Sequence, residues 1–372
     1  MTLRAFLLVI ALATPAASVQ PAVLVNTEDV RAKLEQPAAA AIAKELSALQ
    51  ARSATLEIVV LLRERVLAGA LDEPTREALL DRGVHALAQL PPQPASRSLV
   101  SELVNRKPQV FVLADPEHGP RGVPLYDVGA TAKFAQRTWL LRETRESTAT
   151  ALAKHQAGLV EAHAATWSTP DVDARKAGVL QAFESANTAD LLAFRAELVA
   201  AMEAGGHADE LLSLFARRLN DAELYALLFD RADDGTAVRA MRDFPGVLHD
   251  DAAVAVLRTA MQRQELASAA LLTLAELARR HTGARQVLLE ALQHPLHGAS
   301  AAAGLGKLHD PALASELGRS LATTTDESTR RRIALALQFD GSDAARQQLQ
   351  VFARSQKGSR ELRKEIAAWL AR

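Results

Sequence analysis

Ala270-Leu271-Leu272-Thr273-Leu274-Ala275-Glu276-Leu277 and Ala301-Ala302-Ala303-Gly304-Leu305-Gly306-Lys307-Leu308 are one phrase written twice, 31 residues apart. It returns at the same interval as Arg332-Ile333-Ala334-Leu335-Ala336-Leu337-Gln338-Phe339 and as Arg363-Lys364-Glu365-Ile366-Ala367-Ala368-Trp369-Leu370. A fixed period of this length marks stacked helical pairs, each too small to bury its apolar face alone. Ala270 and Ala301 recur where only a small side chain fits between neighbouring helices. Leu277, Leu308 and Phe339 are expected to fill the inter-repeat core, so Leu308→Ala should cost about 2–5 kcal/mol.

Working outward, the repeats divide as 221–249, 250–281, 282–311, 312–341 and 342–372. Each holds a first helix, a short turn and a second helix carrying the phrase. Upstream, helices are expected over 27–35, 38–52, 55–68, 72–90 and 96–105. Asp72-Glu73-Pro74 opens the fourth as an N-cap with Pro in the first turn. Pro91-Pro92-Gln93-Pro94 ends it. Further helices are expected over 130–166 with a break near Gly158, over 172–204 with Gly205-Gly206 as a stop, and over 208–219.

The segment 107–129 differs. Pro108, Pro116, Gly119, Pro120, Gly122 and Pro124 exclude a continuous helix. Val110–Leu113 and Val123–Val128 flank its turn-rich centre as two short strands.

Composition agrees with a helical reading. Hydrophobic residues make up 49% of the 372-residue chain, yet aromatics only 4%. Ala and Leu therefore supply most of the apolar surface, which suits close helix packing better than a β-sandwich. The net charge of -1 gives no strong overall field for nucleic acid. Residues 329–372 are an exception, with ten Lys or Arg against four acids, read as a solvated end-cap. The absence of cysteine excludes disulfides, thiol catalysis and thiolate metal sites.

Arg4, the apolar run 5–13 and the small residues Ala16-Ala17-Ser18 have the layout of a secretory signal peptide, with cleavage expected near Ser18. The expected compartment is periplasmic or secreted, and no membrane span is expected in the mature chain.

The repeats resemble the HEAT-repeat family in its short bacterial form. Ala301–Pro311 is similar to that family's second helix and exit turn. Asp234-Gly235-Thr236-Ala237-Val238-Arg239 resembles its Asp-x-x-x-Val-Arg entry, and Leu362-Arg363 echoes it. The chain departs at His294, where the family often has Asp, and at 299–300, where the Val-Arg pair is missing. The resemblance implies an all-α fold, a right-handed α-solenoid of HEAT-like hairpins, with a small irregular or β-hairpin insert near 107–129. The expected organisation is a signal peptide (1–18), a lead-in (19–38), an N-terminal helical region (39–106), the insert (107–129), a central helical region (130–220) and the repeats (221–372).

Catalytic motifs are sparse. His294-Pro295-Leu296-His297 has no adjacent third ligand and is not the His-Glu-x-x-His of a zinc-protease helix. Asp230–Met241 fails as a calcium loop at Ala232 and Met241. Asp234 reads better as a helix cap. Trp139, with Leu140, Leu141 and Phe134, reads as a packed helix face. Asp115, Glu117, His118, Arg121, Tyr126 and Asp127 concentrate binding-type side chains in the insert. No catalytic residue, metal ligand or cofactor is assigned. The expected role is a non-catalytic scaffold for a protein or peptide partner in the bacterial envelope. The alternative is an envelope hydrolase or metal-dependent enzyme using the 107–129 loop.

Overall fold

The computed structural model describes residues 23–113, 122–165, 171–244, 246–355 and 357–371. The expected signal peptide and the expected site residues Asp115, Glu117, His118 and Arg121 lie outside them. The fold class is all-α, with 75% of the residues helical and little strand. The chain divides into two compact units, the first ending at Glu143 and the second beginning at Thr144.

In the first unit, α1 (Thr27–Leu34), α2 (Pro37–Ala51), α3 (Thr55–Leu61), α4 (Glu73–Gln89), α5 (Pro94–Leu103) and the start of α6 (Val128–Ala153) enclose one apolar core. Asp72 caps α4 by accepting from Thr75 N at 2.9 Å. A π-helical stretch, Leu62–Leu67, continues α3. Arg76 closes its end, donating to Leu71 O at 2.7 Å and Val66 O at 3.3 Å.

The insert forms strands β2 (Val110–Leu113) and β3 (Gly122–Pro124), paired antiparallel with Val112 opposite Val123. The lead-in, expected to be loose, adds strand β1 (Val23–Leu24), parallel to β2 with Val23 opposite Val110. Pro124 is tolerated because β3 is an edge strand.

Trp139 is fully buried, and its indole N–H donates to Leu87 O and Leu90 O, both at 3.1 Å. Those carbonyls lie at the end of α4, where the prolines stop the helix; Leu87 O also accepts from Leu90 N at 3.1 Å, so the indole shares it. Arg142 adds a bond to Gln89 O at 3.1 Å. The expected packed face around Trp139 is narrower than its sequence suggests, because Phe134 stays exposed and rests on His85 instead.

The second unit contains the rest of α6 and then α7 (Leu159–Ala165), α8 (Val172–Ser185), α9 (Thr188–Glu203), α10 (Asp209–Leu219), α11 (Ala222–Arg231), α12 (Asp234–Asp243), α13 (Asp250–Ala260), α14 (Gln264–Leu277), α15 (Thr282–Ala291), α16 (Gly298–Gly306), α17 (Pro311–Thr323), α18 (Glu327–Asp340), α19 (Asp343–Arg354) and α20 (Arg360–Leu370). Asp233 caps α12, accepting from Thr236 N at 3.0 Å, so the cap falls one residue before Asp234. Asp234 pairs instead with Arg263 at 2.5 Å.

Helices alternate in their packing. α8, α10, α12, α14, α16, α18 and α20 each touch the next member of that series. So do α7, α9, α11, α13 and α15, and then α17 and α19. The tightest approach surrounds α16, whose sequence is nearly all Gly and Ala. A Cβ on Gly304 would lie 3.2 Å from the Ala275 Cβ of α14. One on Gly306 would lie 2.5 Å from the Phe339 Cβ and 3.0 Å from Ala336 O of α18. Ala270 and Ala301 are fully buried, as their small size anticipates.

The 31-residue register holds, but its apolar end does not. Leu271, Ala302 and Ile333 are buried in register, as are Leu274, Leu305 and Ala336. Leu277 is buried, Leu308 only half-buried, and Phe339 is 51% exposed. The Phe339 Cβ faces Gly306 closely, while the Phe339 side chain as a whole is half exposed. The cost expected for Leu308→Ala is correspondingly below that of a core leucine.

Arginines tie one hairpin to another by donating to carbonyls at helix C-termini, where unpaired acceptors and the helix dipole favour a cation. Arg218 donates to Ala186 O at 2.7 Å, Arg263 to Phe229 O at 3.0 Å and Ala232 O at 2.9 Å, and Arg332 to Leu292 O at 3.0 Å. Arg330, Arg331, Arg332 and Arg363 of the basic C-terminal stretch are all engaged in such bonds or in ion pairs.

Gly306→Val should destabilise the protein by about 1–3 kcal/mol, as overpacking does, whereas Phe339→Ala should cost less than about 1 kcal/mol because the ring is largely outside the core. Urea midpoints compare the two.

His163 on α7 is 3% exposed, and burial first, then the nearby Lys176 charge, lowers its pKa to about 4. The folded state thus binds its proton less readily than the unfolded chain. Stability is retained above histidine's ordinary value of about 6.5 and is lost as pH falls towards the lowered value, by up to about 3 kcal/mol. Urea unfolding at neutral and mildly acidic pH should show that slope, and His163→Leu should flatten it.

Candidate functional site

Helix α4 carries Glu77, Asp81 and His85 at intervals of four, which places them along one face. That face meets Arg106, from the segment after α5, and the residues that lead from the insert into α6. Arg106 donates through Nε to Glu77 Oε1 at 2.6 Å and through Nη2 to Glu73 Oε1 at 2.8 Å. Glu77 is fully buried, and its Oε2 has no hydrogen-bond partner among the described residues. Burial raises its carboxyl above the usual carboxylate range, against the pull of Arg106.

One turn further along α4, Asp81 Oδ1 accepts from Thr131 Oγ1 of α6 at 2.5 Å. Asp81 Oδ2 lies 3.5 Å from His85 Nδ1, which also approaches Asp81 O at 3.1 Å. Tyr126 is half-buried nearby; burial, and then the Asp81 charge, raises its phenol above the ordinary value. Asp127 Oδ1 accepts from Ala130 N at 2.9 Å, so this carboxylate caps the start of α6. Of the six expected site residues, the structure therefore places Tyr126 and Asp127. It adds Asp81, His85, Thr131 and Glu77, which sequence reasoning missed. Glu77, Asp81 and His85 recur at a spacing of four along a predicted helix, but that spacing alone does not separate them from an ordinary helix face, and Thr131 of α6 carries no such signal.

With His85 Nδ1 as donor to Asp81, Nε2 is left as a hydrogen-bond acceptor at the surface. No activated nucleophile accompanies it among the described residues. No group of three His, Cys, Asp or Glu is arranged to hold a metal ion among them either.

In the second unit, grooves open between successive first helices of the hairpins. One of about 400 Å³ lies among α9, α11 and α13, with Arg195, Glu203, Glu223 and Asp230 at its rim. A second, of about 480 Å³, lies between α13 and α15 over Met261, Val287 and Ala291, edged by Arg258, Glu290, His294 and His297. A third, of about 210 Å³, lies between α15 and α17, lined by Gln286, Glu290, Glu316 and Ser320. His294 and His297 do not converge as ligands: their rings stack at 4.1 Å and 10°.

Comparison with known proteins finds no family model, curated protein or solved structure that matches this chain. Among the described residues, no helix is long and apolar enough to cross a membrane.

Arg106→Met strips the buried Glu77 of its counter-ion and should cost about 3–5 kcal/mol at neutral pH. The Arg106→Met/Glu77→Gln double variant should recover part of that loss. Denaturant unfolding of both proteins tests this. Equal losses would show that Glu77 carries no charge to strand.

Proposed function

We propose that this protein is an exported, non-catalytic scaffold of the bacterial cell envelope, built as a right-handed α-solenoid of HEAT-like hairpins and acting by binding a protein or peptide partner. The observation that carries this reading is the row of grooves between successive first helices, α9 to α17. Hairpins packed in series present such a row as one continuous ridged surface. In the first two grooves charged side chains lie beside apolar ones such as Val199, Leu227, Met261 and Val287, which suits a polypeptide, since it offers both side-chain charge and apolar area. The signal-peptide layout of the first 18 residues supports export.

Chemical cross-linking in an envelope fraction tests both parts. The expected result is a reproducible partner whose links fall on α9, α11, α13, α15 or α17, and a mature chain beginning near Val19. Absence of any partner, or recovery of the full precursor only from the cytoplasm, contradicts the proposal.

A second reading is favoured by the alignment of Asp81, His85 and Tyr126 beside the insert. It makes this cluster the acid–base centre of an envelope hydrolase. His85→Asn would abolish such an activity while leaving stability nearly unchanged, because the ring is half exposed.

A further inference from the structure

A histidine nitrogen accepts a hydrogen bond at the start of helix α15, and a second one does so in the turn that follows the helix. At its start, His281 is the N-cap, and its Nδ1 accepts from Ala284 N at 3.2 Å. Its Nε2 lies 2.8 Å from Asp251 Oδ1, so the tautomer with the proton on Nε2 satisfies both contacts. Beyond its end, His294 Nδ1 accepts from Leu296 N at 3.3 Å, closing the turn that leads to α16. The His294 ring is stacked on His297. Each arrangement requires an uncharged imidazole. A protonated ring has N–H at both nitrogens and accepts nothing, and two stacked cations repel.

We propose that α15 is a proton-responsive repeat: neutral imidazoles cap its start and close the turn after it, and mild acid releases both and remodels the groove between α13 and α15. The consequence is a binding surface whose shape and charge both change within the range where histidine titrates. The neighbouring charges divide between the two ends. At the first, Asp250 and Asp251 of α13 face Arg280 and His281, and Arg285 of α15 pairs with Asp310. At the second, Arg258 of α13 and Glu290 of α15 pair across the groove, and Arg332 of α18 donates to Leu292 O and Gln293 O. Burial, and then His294, lowers the pKa of His297, so the folded state resists a proton there. Its contribution to stability is present above histidine's unfolded value and is lost as pH falls through the lowered one.

The test is amide hydrogen exchange on the full chain at about pH 7.5 and about pH 5, corrected for intrinsic rates, in wild type and in the His281→Asn/His294→Asn variant. Asn keeps an acceptor at an N-cap and in a turn but does not titrate. Wild-type protection over 282–291 should fall by about tenfold or more on acidification, while α9 keeps its protection. The variant should hold its neutral-pH protection at both values. Unchanged wild-type protection over 282–291 overturns the proposal, and so does an equal fall in both proteins. The single variant His294→Asn, read at residues 292–298, serves the same purpose if the double variant does not fold.

Discussion

The second unit depends on how closely α16 lies between its two neighbours. Backbone and Cβ atoms of α14 and α18 occupy the space that side chains at Gly304 and Gly306 would need. At this separation backbone and Cβ atoms of neighbouring helices come into direct dispersion contact. The same proximity brings arginine side chains within reach of the C-terminal carbonyls of other helices, as Arg332 reaches Leu292 across Gly298. Close packing and C-terminal capping are therefore two results of one choice, small residues on the inner helices. The charges go to the helix ends and groove rims, where water still reaches them.

The first unit solves a different problem. Its helices pack aliphatic side chains around Trp139 at the base of α4. Its polar groups are spent inside, in the pairing of Glu73 and Glu77 with Arg106. A buried carboxylate raised by its surroundings and only partly bonded does little for stability, since desolvation offsets most of what its partner returns. It does fix where the segment between α5 and β2 must lie, and so where the insert begins. The Asp81–His85 pair and Tyr126 inherit their positions from that constraint.

Much of the fold was legible in the sequence. The 31-residue phrase located each second helix from α14 to α20, and Asp72, Gly158, Gly205 and the Pro91–Pro94 stretch marked ends that the structure keeps. The outward drift of Phe339 was not legible, because residue period fixes spacing but not the depth at which a helix sits. That depth depends on tertiary contacts such as the close approach at Gly306. Strand β1 was hidden for a different reason: two residues, Val23 and Leu24, carry no alternation to read. The π-helical turn at Leu62–Leu67 uses residues that suit an α-helix equally well. At the candidate site, Tyr126 and Asp127 were visible as polar residues in an irregular segment. Asp81 and His85 sit inside an apparently ordinary amphipathic helix, and only the tertiary contact with Thr131 distinguishes them.

Native-state hydrogen exchange in increasing urea measures the central claim, that residues 144–371 are hairpins stabilised by their neighbours and not one indivisible core. The account predicts that α19 and α20, with a neighbour on one side only, exchange through openings that leave α9 to α14 protected. A single opening free energy shared by every core amide from α8 to α20 would contradict it.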